Sequence, residues 1–206
     1  MAGNTLLAFA FAYLLGSIPF GLLLTKAAGL GDVRQIGSGN IGATNVLRTG
    51  NKTLAAATLL LDALKGFLAV SLVHQMFPEN APDLLFAEAG PVPAAALGAV
   101  LGHCFPIWLK FKGGKGVATN AGVSFGLGWP IGLAYAVVWI GMLAAARISS
   151  LAGMSAVVAA AIAAALLGYP QFVPVLIVIG ALIIWLHRAN IGRLMRGEEP
   201  RVGKKD

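Results

Sequence analysis

Gly116-Val117-Ala118-Thr119-Asn120-Ala121-Gly122-Val123-Ser124-Phe125-Gly126-Leu127-Gly128-Trp129-Pro130-Ile131-Gly132-Leu133-Ala134-Tyr135-Ala136-Val137-Val138-Trp139-Ile140-Gly141-Met142-Leu143-Ala144-Ala145-Ala146 is a run of 31 residues without Asp, Glu, Lys or Arg. A hydrocarbon core takes about 20 apolar residues per helix, so the run is long for one crossing and short for two. Gly128-Trp129-Pro130 near its middle supplies turn residues. The charges on either side decide. If the run crosses twice, segments 26–53, 110–115, 147 and 188–206 share one face, and 14 of the 15 Lys and Arg lie there. The other face, formed by 1–4, 74–89, 127–130 and 168–171, holds none of them, and carries Glu79, Asp83 and Glu88. If it crosses once, the tail with Arg188, Arg193, Arg196, Arg201, Lys204 and Lys205 changes sides and the asymmetry vanishes. The positive-inside rule therefore favours two crossings, through helices of only about 12–16 residues that neighbours must shield.

The rest of the chain fits that count. It is 206 residues long, 58% hydrophobic and 11% charged, where a soluble domain carries roughly 25% charged residues. Those figures exclude a water-soluble globule and a disordered chain alike. The lone cysteine, Cys104, excludes a disulfide framework. Leu6–Ala28, Leu54–Val73 and Ala89–Leu109 each suit one crossing, and Ile148–Leu186, broken at Gly168-Tyr169-Pro170, suits two. The first 25 residues lack a basic start and an A-x-A-like cleavage site, so they read as a retained helix. The expectation is one all-α, polytopic integral membrane domain over 1–206. It has seven transmembrane helices, the N-terminus outside and the C-terminus cytoplasmic.

Polar residues gather in three segments of the basic face. In Arg34–Arg48, Ser38, Asn40, Thr44 and Asn45 are interleaved with Gly37, Gly39 and Gly42 and flanked by Arg34 and Arg48. Gly37-x-Gly39-x-x-Gly42 matches a dinucleotide fingerprint formally, but no strand precedes it and a membrane span follows. Helix caps account for one or two such side chains, and so many suit a polar ligand. In Lys110–Asn120, Gly113, Gly114 and Gly116 around Lys115 free backbone amides for a phosphate nest at a helix start. A membrane-edge turn with lysines is the plainer reading, and a P-loop is excluded because Gly116 follows Lys115. In His187–Glu198, His187, Asn190 and Arg193 share a face if the last helix continues straight. A general-base histidine and an ordinary interfacial one are equally compatible with that spacing.

Asp62 and Lys65, within a span, read as a structural pair facing the bundle interior, with Lys65 able to reach a neighbouring helix end. Arg147-Ile148-Ser149-Ser150 reads as a cytoplasmic turn, and Arg201–Asp206 as solvated charge near anionic lipid. His74-Gln75-Met76-Phe77-Pro78-Glu79 mimics the H-x₄-D of soluble-type acyltransferases but lies on the wrong face.

Several motifs in order make a more specific signal. They are Gly16-Ser17-Ile18-Pro19-Phe20-Gly21, Gly37 through Asn45, and Leu61-Asp62-x-x-Lys65-Gly66. Phe111-Lys112-Gly113-Gly114-Lys115-Gly116-Val117-Ala118-Thr119 and Asn190-Ile191-x-Arg193-Leu194 with Gly197-x-Glu199 or Glu198 complete the set. With these, the chain resembles the PlsY family of bacterial acyl-phosphate:glycerol-3-phosphate acyltransferases along essentially its whole length. The resemblance implies transfer of a fatty acyl group from acyl phosphate to the sn-1 hydroxyl of glycerol 3-phosphate, giving lysophosphatidate and phosphate. The setting is the bacterial inner membrane, with the site on the cytoplasmic face. The resemblance makes His187, Asn190 and Ser38 the catalytic candidates, with Ser38 also a phosphate contact. The substrate-binding candidates are Asn40, Thr44, Asn45, Arg48, Lys112, Gly113, Gly114, Lys115, Gly116, Thr119, Ser149, Ser150 and Arg193. No cofactor, metal or nucleic acid is called for. The partners are the two substrates and membrane lipid, and a transient contact with the soluble enzyme that makes acyl phosphate stays open. An organic-phosphate transporter is the alternative.

Overall fold

The computed structural model describes residues 2–77 and 90–203; Glu79, Asp83, Glu88, Lys204 and Lys205 lie outside them. The described residues are helical throughout, joined by turns and short 3₁₀ segments. The first apolar run is α1 (Ala2–Gly16) and α2 (Phe20–Ala27). They are separated at Ser17-Ile18-Pro19, because proline offers no N–H to continue the ladder. A short α3 (Ala43–Val46) leads into α4 (Lys52–Met76), which Asn51 caps by accepting the Leu54 N–H at 3.0 Å. Then come α5 (Pro91–Cys104), α6 (Val117–Leu127), α7 (Trp129–Ala146), α8 (Ser149–Leu166), α9 (Val173–Leu186) and α10 (Arg188–Met195).

The 31-residue run does break at Gly128, but unequally. It gives an 11-residue α6 and an 18-residue α7 rather than two helices of similar length. Pro130 explains the asymmetry, since it sits in the first turn of α7, where proline is accommodated. Among the described residues, five helical stretches, with α1 and α2 counted as one, are long and apolar enough to cross a membrane, and α9 with α10 makes a sixth if that pair, bent by 60°, counts as one span. The bend falls at His187, so the last helix does not run straight into the tail.

Glycines fix how the helices pair. A Cβ on Gly102 of α5 would overlap the Tyr13 carbonyl, and one on Gly98 the Phe9 carbonyl, so α1 and α5 advance in the same direction. Gly122 lies against Ala63 and Phe67, and Gly126 against Phe67 and Val70, so α4 and α6 are likewise parallel. Such backbone contact is how membrane helices gain dispersion energy when lipid removes the hydrophobic drive between them. The core is accordingly small-residue packing, with Ala95, Ala99, Ala152, Ala156 and Ala160 at 0% exposure. Leu60, Val137, Ile140 and Leu166 face outward, 60–77% exposed, as a lipid-facing surface requires. The starts of α4, α6 and α8 and the ends of α5, α7 and α9 come together around one cavity.

Candidate active site

That cavity has a volume of about 1120 Å³. Its lining combines cationic and amide side chains with apolar wall from α4, α6 and α7, namely Ala55, Ala56, Leu59, Val117, Ala118, Trp139 and Leu143. Twelve of the sixteen candidate residues line it, drawn from the loop after α2, the start of α6, the start of α8 and the α9–α10 bend.

Asn45 organises the first loop. Its Nδ2 donates to the carbonyls of Val33 at 2.7 Å, Asn40 at 2.8 Å and Ile36 at 3.2 Å. Its Oδ1 accepts from the Ser38 N–H at 3.1 Å and from Arg48 Nη1 at 3.3 Å. Asn45 therefore has no polar atom left for a ligand; it shapes the loop that presents Ser38 and Arg48. Asn40 is committed too, its Oδ1 accepting the Gly42 N–H at 2.9 Å. Arg34 turns to Asp32 in a 2.5 Å ion pair, which leaves Arg48 as the arginine of this loop on the cavity. Thr44 Oγ1 and Ser149 Oγ, 3.0 Å apart, tie the loop to the start of α8.

The glycine loop differs from a phosphate nest. The Gly113 and Gly114 amides donate to the Cys104 and His103 carbonyls, each at 3.0 Å, so neither points into the cavity. Lys112 is exposed and off the cavity wall, and Thr119 is buried where Gly66 of α4 meets α6. What reaches the cavity is Lys115, with Gly116 (φ +85°) starting α6 behind it. Lys115 Nζ donates to Asn190 Oδ1. Burial lowers its pKa; Glu199 opposes this, and Arg193, Arg48 and Arg188 add to it.

His187 sits in the α9–α10 bend, 3% exposed. Its Nδ1 is 2.7 Å from the Ile183 carbonyl, which can only accept. The ring hydrogen is therefore on Nδ1, and Nε2 is a free acceptor. Burial holds its pKa down to about 4, with Lys115 reinforcing and the Ile183 carbonyl and Glu199 opposing, so the ring is neutral at pH 7.

Glu199 is the residue that sequence reasoning passed over. Its Oε1 accepts from Ser150 Oγ at 2.7 Å and Asn190 Nδ2 at 2.5 Å, and its Oε2 from Arg193 Nε at 2.7 Å. Burial alone would raise its pKa, but these hydrogen bonds outweigh that and keep it below the usual carboxylate range. The described part of the tail is consequently anchored: residues 199–203 form part of the cavity wall, and the Val202 N–H donates to the Arg147 carbonyl at 2.6 Å, while 204–206 lie outside the described residues. The signal available was the family-like Gly197-x-Glu199 spacing, a carboxylate set among cations.

The fold and cavity define a polytopic helical membrane protein with cationic, amide and apolar side chains lining one cavity at an end of the bundle. The model of the glycerol-3-phosphate acyltransferase family matches residues 6–197, and the chain belongs to that family. Among curated relatives, the glycerol-3-phosphate acyltransferase of Erythrobacter litoralis is 67% identical over 97% of this chain and 95% of its own length. That of Mesorhizobium japonicum is 56% identical over the full length of both. Two solved structures of PlsY, an integral membrane glycerol 3-phosphate acyltransferase, are similar. Its glycerol 3-phosphate form has TM-score 0.88 and 41% identity over 98% of this chain and 96% of that one. Its lysophosphatidic acid form has TM-score 0.86 and 40% identity over the same shares.

Proposed function

We propose that the chain transfers a fatty acyl group from acyl phosphate to the sn-1 hydroxyl of glycerol 3-phosphate, in phospholipid synthesis. The observation that carries the reading is one cavity that brings Arg48, Lys115 and Arg193 together with an apolar wall from α4, α6 and α7. Both substrates are anions, and Arg48, Lys115 and Arg193 offset the repulsion between them, with Ser38 and Ser149 as further phosphate donors, while the Ser150 hydroxyl hydrogen is spent on Glu199. The acyl tail lies against the apolar wall from α4, α6 and α7. Acyl phosphate is a mixed anhydride, already activated, so no covalent enzyme intermediate is required. The hydroxyl oxygen attacks the acyl carbon, the bond to phosphate breaks, and the departing phosphate takes the hydroxyl proton. Neutral His187 and Asn190 hold the glycerol backbone so that this hydroxyl faces the acyl carbon, and its proton is left to the phosphate. Positioning and charge stabilisation supply most of the rate, without a cofactor.

The chain acts as one domain over 1–206 in the bacterial inner membrane. Here α6 is the seventh crossing, short and shielded by α4, which runs parallel to it. The N-terminus is outside and the site is cytoplasmic, as the one-sided distribution of Lys and Arg supports. A transporter needs access from both faces, whereas the candidate residues gather at one end of the bundle, and the relatives are named as acyltransferases.

The test is the purified, detergent-solubilised protein with palmitoyl phosphate and glycerol 3-phosphate, followed by phosphate release and lysophosphatidate. Lys115→Ala runs in parallel, as does acyl-CoA in place of acyl phosphate. Turnover with acyl phosphate only, lost in Lys115→Ala, is expected. Saturable glycerol 3-phosphate binding without turnover on any donor overturns the reading in favour of transport.

A further inference from the structure

One cluster of ionisable side chains inside the bundle has no part in the chemistry above. Asp62 and Lys65, one turn apart on α4, and His103, near the end of α5, are 2–3% exposed. Lys65 Nζ meets acceptors from three elements. It forms an ion pair with Asp62 Oδ1 at 2.6 Å, lying off hydrogen-bond angle. It donates to the Ile18 carbonyl, in the break between α1 and α2, at 2.7 Å. The third contact is His103 Nδ1 at 3.0 Å. An ammonium has three hydrogens and no lone pair, so His103 Nδ1 is the acceptor and the ring hydrogen lies on Nε2. Buried ion pairs can often be replaced by apolar packing without loss of stability, so cohesion alone is a poor account of this one. Its geometry offers a better one.

The Nε2 edge of the oriented ring lies against Gly114, where an added Cβ would overlap Nε2, Cε1 and Cδ2. The Gly114 N–H donates to the carbonyl of the same histidine, and the Gly113 N–H to that of Cys104, each at 3.0 Å. The residue before Lys115 is therefore clamped between the ring and the carbonyl of His103, and His103 is held by Lys65 and Asp62. Asp62 and His103 also form cavity wall, so the clamp stands beside the site. We propose that Asp62, Lys65 and His103 are positioning residues that set Lys115 in the cavity through the contact of His103 with Gly114. This rests on the reading of Lys115 as a phosphate contact.

The assay above, on the full chain, tests it with His103→Asn, Gly114→Ala, the double variant and Lys115→Ala. His103→Asn leaves an amide oxygen for Lys65, so the ion cluster and the melting temperature hold, but it removes the ring edge. A misplacement of about 1 Å can cost on the order of 100-fold, so kcat/KM should fall about 10- to 100-fold with the melting temperature unchanged. Gly114→Ala should lose at least as much. The double variant should be no worse than Gly114→Ala alone, because the overlap has gone and groups in contact do not add. Normal kcat/KM in His103→Asn, or losses that multiply in the double variant, overturns the proposal. Gly114→Ala keeps all three cluster side chains and only displaces the ring, so a normal rate there overturns it whatever His103→Asn does to folding. If Lys115→Ala is fully active, the phosphate-contact reading itself has failed instead.

Discussion

Lys115, just ahead of α6, donates its ammonium hydrogen bond to Asn190 on α10, a residue 75 positions away in the chain. The amide passes the connection on, its Nδ2 donating to Glu199 Oε1 at 2.5 Å. Two of the three polar segments on the basic face thus share one hydrogen-bonded chain, and the amide fixes where the lysine charge sits.

That link makes Lys115 and Asn190 non-additive. Lys115→Ala removes the charge and should lower kcat/KM at least about 100-fold, in line with the loss of a charge-stabilising group. Asn190→Ala leaves the charge but frees the side chain, and a smaller loss of about 10- to 100-fold is expected. The double variant should resemble Lys115→Ala, since Asn190 acts in part through it. Steady-state kinetics on the three proteins checks this, and losses that multiply would show the two residues working independently.

His187→Gln separates orientation from proton transfer. A glutamine still offers a hydrogen-bonding side chain in the bend but no imidazole base. If the departing phosphate takes the proton, turnover should stay within about 10-fold of wild type, whereas an essential general base is worth about 100- to 10,000-fold. The pH profile gives a second reading. With its pKa held down to about 4, His187 is neutral from neutral pH down to the region of pH 5, so its titration should put no inflection in kcat near pH 6.5. An inflection there that disappears in His187→Gln would contradict the burial and tautomer described above.

Much of this arrangement was readable before any coordinates. The Gly128 break, the burial of Asp62 with Lys65, and the meeting of Ser38, Arg48, Lys115, Ser149 and His187 at one end follow from charge distribution and turn residues, which are local or one-dimensional signals. The bulk of the remainder was hidden because it depends on which carbonyl lies where. Gly113 and Gly114 have the composition of a nest, yet the Cys104 and His103 carbonyls capture their amides. Asn45 has the chemistry of a ligand contact, yet Val33, Ile36 and Asn40 use its donors. His103 sits 38 positions from Lys65, and no spacing rule connects them.

Asn45 should behave as a structural residue of the loop. Asn45→Ala removes hydrogen bonds to three carbonyls and two donors, the one to Val33 buried and the others partly buried. Leaving buried groups unpaired costs about 1–3 kcal/mol each, so the loop should open well before the bundle melts. Hydrogen exchange should rise across 33–48 while α4 through α9 stay protected, and activity should fall with the loop. An Asn45→Ala protein with a protected loop and a weakened affinity for glycerol 3-phosphate would instead make Asn45 a direct contact.

Glu199 ties acid stability to the tail. Its folded pKa lies below the usual carboxylate value, so its hydrogen bonds to Ser150, Asn190 and Arg193 contribute fully above that value and are lost as pH falls through the depressed pKa. His187 has the same sign: its folded pKa of about 4 lies below the roughly 6.5 of an unfolded histidine, so its share is present above pH 6.5 and fades toward pH 4. Acid should therefore destabilise the protein in two stages, the histidine first and the carboxylate below it. Glu199→Gln should shrink the lower stage, leaving the share of Asp32, which its hydrogen bond from Arg34 holds down to about 2, and should lower the melting temperature at pH 7 and release segment 199–203 to proteolysis. Melting curves from pH 7 to 3.5 on wild type, Glu199→Gln and His187→Gln separate the two. A lower stage of wild-type size in Glu199→Gln, with 199–203 still protected, would mean that Glu199 does not hold the tail.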